Sequence, residues 1–196
     1  MVDEAHSVGM LGHTGHGIEE HFHLPSDCVD VKMGTFSKAI PSVGGYIAGS
    51  KKLCDFLCHQ ARGFIYSGAL PPSAAAAALA SLEIIERESD RVQKLHNNAA
   101  FFSRLLRNKG FSFLNSQTAI FPIMCGDLWK ALKLARYCQR RGVFIQAIGH
   151  PVVPKGLERL RAVITAAHSP EDLEFCVSVL QDGALEVGGI LANSQT

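Results

Sequence analysis

The chain has 196 residues, a formal net charge of +1 and 47% hydrophobic residues, a balance typical of a globular protein. A net charge so close to zero argues against nucleic acid or an anionic membrane surface as the principal partner, because both require a basic surplus. No stretch approaches the roughly 20 consecutive apolar residues of a membrane-spanning helix, and the first residues lack the basic and apolar regions of a signal peptide.

The first 89 residues predict short strands and loops that lead into one long helix. Val2 and Asp3 look like the end of a strand that nothing precedes, so we expect the chain to be part of a longer protein. A glycine-rich loop is predicted at residues 10–18. One strand is predicted at residues 28–33, ending at Gly34, a second after the turn at 44–49, and a third, buried, at 64–66. A helix capped by Ser50 is predicted to run to His59, and the long helix is predicted to run from Pro71 to Glu88.

Residues 90–196 predict a small α+β domain. A second amphipathic helix is predicted to follow the first, to occupy residues 90–108 and to stop at Gly110. Further along the chain we expect a strand at 119–124, a helix at 128–141, strands at 143–147 and 160–164, a helix at 170–181 and a frayed end at 193–196. The sequence therefore predicts two domains, residues 1–89 and 90–196.

Four segments contain side chains suited to pyridoxal 5'-phosphate (PLP) chemistry. This chemistry needs a lysine that links to the cofactor as a Schiff base, an acid beside the pyridine nitrogen, hydroxyl donors for the phosphate and an arginine for a substrate carboxylate. Each feature alone has a simpler explanation, as a turn former, a solvated lysine or a surface arginine pair. Together the set is complete: Asp3, Thr35, Ser37, Lys38, Ser67 and Arg161.

The same segments resemble a known family. They are DEAHSVGMLGHTGHGIEEHF, VDVKMGTFSKAIPSVGGYIAGS, ARGFIYSGALPPSAAAAAL and HPVVPKGLERLRAVITAAHSPEDL. In order and spacing they resemble the α-oxoamine synthases, which are PLP-dependent enzymes that join an amino acid to an acyl thioester. The resemblance implies an α/β fold, the C-terminal part of a PLP-dependent transferase of fold type I. Residues 1–89 would belong to the large α/β/α domain that binds PLP, and residues 90–196 would form the small C-terminal α+β domain.

The resemblance also implies a role for each matching residue. Lys38 would carry the cofactor and later move the α-proton. Asp3 would pair with the pyridine nitrogen, and His6 with the phenolic oxygen of the ring. The resemblance assigns phosphate binding to Thr35 and Ser67, the latter commonly from a neighbouring subunit, and the amino-acid carboxylate to Arg161. Ser37 is a further candidate for binding the cofactor. We therefore expect a cytoplasmic homodimer with a shared active site, acting on an amino acid and an acyl-CoA or acyl-carrier thioester.

Two positions depart from the family pattern, and the resemblance covers only the family's second half. Pro41 stands where many members have glycine, and His16 stands where a Gly-Arg-Gly sequence is usual. The alternative interpretation is a non-catalytic or truncated subunit of such a synthase. Lys38 and Asp3 are both present, which argues against a subunit that has lost its catalytic residues.

Other chemistries have weaker support. His13, His16, His21 and His23 suggest a metal, but a glycine-rich loop is a poor rigid cage, and we expect no metal site. Six cysteines occur without a C-x-x-C pair, which predicts reduced thiols rather than a disulfide framework. Cys54 and Cys58 lie one helical turn apart, and we expect both to be buried as small hydrophobic residues.

Overall fold

The structure, a computed structural model, describes residues 1–191 and forms two compact units. The first unit is Met1–Gln93, and the second begins at Lys94. The division lies inside the helix at Asp90–Asn108, whereas the sequence predicts a boundary after residue 89. The extent of the two domains stays a prediction. The frayed end predicted at residues 193–196 lies outside the described residues.

The first unit contains a sheet in the order β1-β2-β3. Its strands are β1 (Val2–Asp3), β2 (Val31–Ser37) and β3 (Pro41–Gly49). Strand β1 runs parallel to β2, and β3 runs antiparallel to it. The helices are α1 (Ile18–His21), α2 (Lys51–Gln60), α3 (Arg62–Ile65) and α4 (Pro72–Arg87), followed by α5 (Asp90–Asn108), which continues into the second unit. The predicted Ser50 cap is confirmed, because its side chain accepts a hydrogen bond from the Leu53 amide.

Strand β2 is longer than its sequence indicates. The glycine at position 34 predicts a strand end, but the strand continues through it to Ser37. A side chain at Gly34 would collide with the ring of Tyr46 on the neighbouring strand, so glycine is required there for packing rather than for a turn. The extension matters for the site, because it brings the end of β2 next to Lys38.

The predicted buried strand at residues 64–66 is wrong. The segment forms the short helix α3, in which the Ile65 amide donates to the carbonyl oxygen of Ala61 at 3.0 Å. Phe64 and Tyr66 are 66% and 80% exposed. A run of three apolar residues is compatible with a strand and with a helix, so periodicity could not decide between them.

Apolar packing in the first unit joins the sheet to helix α4. Phe36 and Ile40 are buried with Ala78, and Tyr46 and Ile85 pack against this cluster. The rings of Phe36 and Tyr46 stack with centroids 5.5 Å apart. These contacts hold the hairpin formed by β2 and β3 against the long helix.

The second unit contains a sheet in the order β4-β6-β5, and every pairing in it is antiparallel. The strands are β4 (Ile120–Met124), β5 (Gln146–Ile148) and β6 (Arg159–Val163), and the helices are α6 (Leu128–Gln139) and α7 (Pro170–Val187), beside the greater part of α5. The predicted elements are confirmed with shifted ends, since β5 begins three residues after Val143 and α7 continues beyond Gln181.

One face of this second sheet packs into an apolar core. Phe121 lies edge-to-face with Phe102 at 5.3 Å and with Phe113 at 5.5 Å. Leu160, on the central strand β6, is fully buried. Helices α6 and α7 approach closely at Gly183, where a methyl group would lie 2.6 Å from Leu134. Among residues 1–191, no helix is both long enough and apolar enough to cross a bilayer.

Candidate active site

Several residues of the predicted site lie at or just after the carboxyl ends of two strands of the first sheet. Strands β1 and β2 are parallel, so their carboxyl ends point in the same direction. Asp3 is the last residue of β1, and Ser37 is the last residue of β2. In open α/β sheets, ligands bind at the carboxyl ends of the strands. Asp3 pairs with Met33, and β2 continues four residues beyond that pair to Ser37. Asp3 and His6 thus follow the carboxyl end of β1, and Lys38 follows that of β2.

Lys38 begins the tight loop that joins β2 to β3. Phe36 and Ile40 are buried on either side of it, at 8% and 2% exposure, whereas Lys38 itself is exposed. Its amino group donates a hydrogen bond of 2.9 Å to the Thr35 hydroxyl. No carboxylate of the described residues forms a salt bridge with it. The loop thus presents an exposed primary amine, which contacts the Thr35 hydroxyl, between two buried residues.

Pro41 occupies the first position of β3, opposite Ser37. A strand's first residue is one of the few sheet positions that tolerate proline, because no ladder hydrogen bond from its nitrogen is needed there. This departure from the family pattern therefore leaves the hairpin around Lys38 intact.

The turn from Asp3 to Ser7 is held by a buried carboxylate. Asp3 accepts the Ala5 amide at 2.8 Å through one oxygen. The next residue, Glu4, is 4% exposed. Its side chain accepts the Ser7 hydroxyl and, at 3.2 Å, the Ile18 amide at the start of α1. Glu4 thereby fixes the turn that contains Asp3 and His6.

We expect Glu4→Gln to lower the free energy of unfolding by about 1–3 kcal/mol, the usual cost of an unsatisfied buried hydrogen-bonding group. The Ile18 amide donates to both carboxylate oxygens of Glu4. Glutamine would replace one of these oxygens by an NH2 group, which would set a donor against the Ile18 donor. Urea denaturation measures the change, and Glu86→Gln, at an exposed position of α4, is the matched control. Equal stabilities of the two variants would contradict the role given to Glu4.

A second carboxylate organises the glycine-rich loop. Glu20 accepts the Thr14 amide at 3.0 Å and the His16 amide at 2.9 Å. Burial by itself raises the pKa of Glu20, but these hydrogen bonds lower it below its ordinary value. Gly12 adopts a positive φ of 85° and lies against Glu20, leaving no room for a side chain. The His16 side chain also joins this network, because its Nδ1 contacts the Thr14 hydroxyl and lies 3.9 Å from the Glu20 carboxylate.

The metal site and the cysteines that the sequence raises as alternatives can be compared with the structure. Within residues 1–191, no three His, Cys, Asp or Glu side chains cluster as metal ligands would. The expected burial of Cys54 and Cys58 is wrong, because Cys54 is half-buried and Cys58 is exposed on helix α2, which has no fully buried residue. In the second unit, burial raises the pKa of Cys138 to about 12, so its thiol stays protonated and is a poor nucleophile at neutral pH.

The other predicted site residues, Ser67 and Arg161, form their hydrogen bonds with residues other than Lys38. The Ser67 hydroxyl donates to the Gly63 carbonyl oxygen at 2.6 Å, within its own segment. Arg161 belongs to the second unit, where its guanidinium donates to the Gln146 side chain at 2.8 Å. Arg159, two residues earlier, donates its Nε to the Leu157 carbonyl oxygen at 2.7 Å. The two arginines therefore differ, because only one of these bonds is to a neighbouring strand.

Two polar residues around the site were missed by sequence reasoning. Glu4 follows Asp3 directly but carries no signal of its own in the sequence, because its burial depends on α1 returning to the turn. Gln146 is found only through the pairing of β5 with β6. No local pattern encodes such contacts, since the partners are 14 and 15 residues away.

Residues 1–180 match the family of class I and II aminotransferases. The chain belongs to that family. Among curated proteins, 8-amino-7-oxononanoate synthase from Thermoanaerobacter pseudethanolicus is 41% identical over 180 residues, which are 92% of this chain and 45% of that protein. A putative 8-amino-7-oxononanoate synthase from Acetivibrio thermocellus is 46% identical over 180 residues, which are 92% of this chain and 46% of that protein. The chain thus spans about half the length of the curated relatives it matches.

Solved structures give the same result for the fold. Serine palmitoyltransferase from Sphingomonas wittichii superposes with a TM-score of 0.89 at 28% identity, covering 97% of this chain and 48% of that one. A serine palmitoyltransferase from S. paucimobilis, with PLP and myriocin bound, gives a TM-score of 0.88 at 28% identity and covers 95% and 47%. The predicted α/β fold, part of a PLP-dependent enzyme of fold type I, is confirmed, as is the resemblance to α-oxoamine synthases.

Proposed function

We propose that this chain forms part of a PLP-dependent C-acyltransferase that condenses an α-amino acid with an acyl-CoA or acyl-carrier thioester. The observation that carries the proposal is the Lys38 amine, exposed at the carboxyl ends of β1 and β2 and 2.9 Å from the Thr35 hydroxyl. The 8-amino-7-oxononanoate synthases and serine palmitoyltransferases to which the chain is similar support the reaction class.

The residues present fit PLP. Lys38 offers an amine that no described carboxylate neutralises, and Asp3 keeps one carboxylate oxygen beyond its bond to Ala5. Thr35 and Ser37 offer hydroxyl groups for the phosphate, with Ser67 from the same or a neighbouring chain of the homodimer. His6 lies three residues beyond Asp3 on the same turn and would pair with the phenolic oxygen of the ring, the role that the family resemblance gives it.

Each side chain then has a definite task. PLP, when bound, supplies an electron sink that stabilises negative charge at the amino acid's α-carbon. Lys38 holds the cofactor and afterwards carries the α-proton on Nζ. Asp3 keeps a positive charge at the ring nitrogen, since an opposite charge nearby favours the protonated form. Arg161 holds the substrate carboxylate through charge-assisted hydrogen bonds.

The cofactor assignment is tested by trapping. We expect borohydride treatment of the complete enzyme with PLP to attach the cofactor irreversibly to Lys38, as peptide masses after digestion would report. Lys38→Ala should abolish the modified peptide, whereas Lys52→Ala, at an exposed position of α2, should leave it unchanged. A modified peptide that maps to another lysine would overturn the assignment.

The reaction class is tested separately. Condensation joins the amino acid's α-carbon to the acyl carbonyl carbon, breaks the thioester bond and releases a thiol, with the carboxylate leaving as CO2. Thiol release should therefore require both substrates, and a carboxyl-labelled amino acid should give labelled CO2 in equal amount. Formation of a keto acid without consumption of thioester would instead indicate an aminotransferase.

A further inference from the structure

The sheet of the second unit has one face that does not enter its core. Along β6, Leu160 and Ala162 are buried, whereas Arg161 and Val163 are exposed, as alternation in a strand requires. Strand β6 is the central strand, so Arg161 has a cross-strand neighbour on each side. These neighbours are Pro122 on β4 and Gln146 on β5.

Only one of these two neighbours offers a polar side chain. The proline ring has neither donor nor acceptor, whereas the Gln146 side-chain oxygen accepts a hydrogen bond of 2.8 Å from the Arg161 guanidinium. Residues directly opposite each other in an antiparallel pair have their side chains about 5 Å apart at the base, which lets this contact form without distortion. The Arg161 side chain is thus hydrogen-bonded across the sheet to β5.

We propose that Gln146 is a positioning residue, which orients Arg161 to receive the carboxylate of the amino-acid substrate. The inference rests on the proposed function. A guanidinium has five N–H donors, and a bond to Gln146 leaves enough of them for a bidentate grip on a carboxylate. The amide is neutral, so it restrains the arginine without cancelling its charge. A carboxylate at this position would pair with the guanidinium and compete with the substrate.

This reasoning predicts a graded response in the complete enzyme. Gln146→Ala removes one hydrogen bond and should raise the KM for the amino acid roughly two- to tenfold, as expected for one ordinary bond. Gln146→Glu should raise it further, by about tenfold or more, because a charged hydrogen-bond partner has roughly twice the strength of a neutral one. The KM for the acyl thioester should stay within a factor of about two, since only the carboxylate site is altered.

Direct binding provides a second measurement. Calorimetry with glycine, L-alanine and L-serine, each compared with its methyl ester, should show that Gln146→Glu weakens the free amino acids and spares the esters. Gln139→Glu makes the same change of charge at an exposed position of α6 and should resemble the unmodified enzyme. Unchanged amino-acid affinity in Gln146→Glu, or an equal loss for the esters, would overturn the inference.

The two proposals can fail independently. If the unmodified enzyme binds amino acids but does not consume a thioester, the proposed reaction is wrong, and calorimetry on the Gln146 variants still decides the role of that residue. If condensation occurs while both Gln146 variants keep the original KM for the amino acid, the reaction stands and the positioning role is wrong. An enzyme that binds no amino acid would overturn both.

Discussion

Asp3→Asn should lower kcat by about 10²–10³-fold, the cost typical of removing one preorganised electrostatic partner from an active site. The Asn side chain keeps an oxygen that can accept the Ala5 amide, so the turn at the end of β1 should survive. What is lost is the full negative charge that would face the ring nitrogen of the cofactor. Without this charge the nitrogen loses its proton more easily, and the ring withdraws electrons less strongly.

Two measurements separate this electronic effect from a loss of structure. Nitrogen NMR on enzyme reconstituted with ¹⁵N-labelled PLP reports directly whether the ring nitrogen is protonated, and it should be protonated only when Asp3 is present. Asp27→Asn, in the exposed loop before β2, removes the same charge elsewhere and should keep full activity. A near-normal kcat in Asp3→Asn, with a protonated ring nitrogen, would remove Asp3 from this role.

Local patterns predicted most of the fold, because helices here carry their own boundary signals. The Ser50 cap, the prolines that open α4 and Gly110 after α5 each act within a few residues, and each lies at a helix boundary. The strands were predicted less well. Whether the segment at 64–66 pairs with a sheet depends on residues far along the chain, and its own three apolar side chains do not encode the answer.

The candidate site divides in the same way. Lys38 and Asp3 could be found from their motifs, because the chemistry requires those residue types and the family resemblance fixes their spacing. The residues that hold the site side chains in place could not be predicted from the sequence. The buried carboxylate of Glu4 is satisfied by Ile18, and the Arg161 guanidinium is restrained by Gln146. Both contacts arise only when separate elements come together, so they are properties of the tertiary structure.

Arg161→Lys should raise the KM for the amino acid about 10- to 100-fold, as expected for the loss of one charge-assisted hydrogen bond of roughly 1.5–3 kcal/mol. Lysine keeps the positive charge but replaces a planar fork by a point ammonium, which cannot hold both carboxylate oxygens in a fixed plane. The exposed position of Arg161 on the central strand lets a substrate reach it, and its bond to Gln146 fixes its direction.

Arg159 provides the matched control, because it lies on the same face of the same strand. Its Nε is bound to the Leu157 carbonyl oxygen at 2.7 Å, which turns part of its fork toward the chain's own backbone. Arg159→Lys should therefore change the KM for the amino acid by less than about threefold, within the range of a weakened surface interaction. If Arg159→Lys has the larger effect, the carboxylate site lies two residues earlier on β6. If both variants raise the KM for the amino acid and the KM for the thioester equally, neither arginine binds the carboxylate. Such a result would indicate that the substitutions disturb the structure of the sheet.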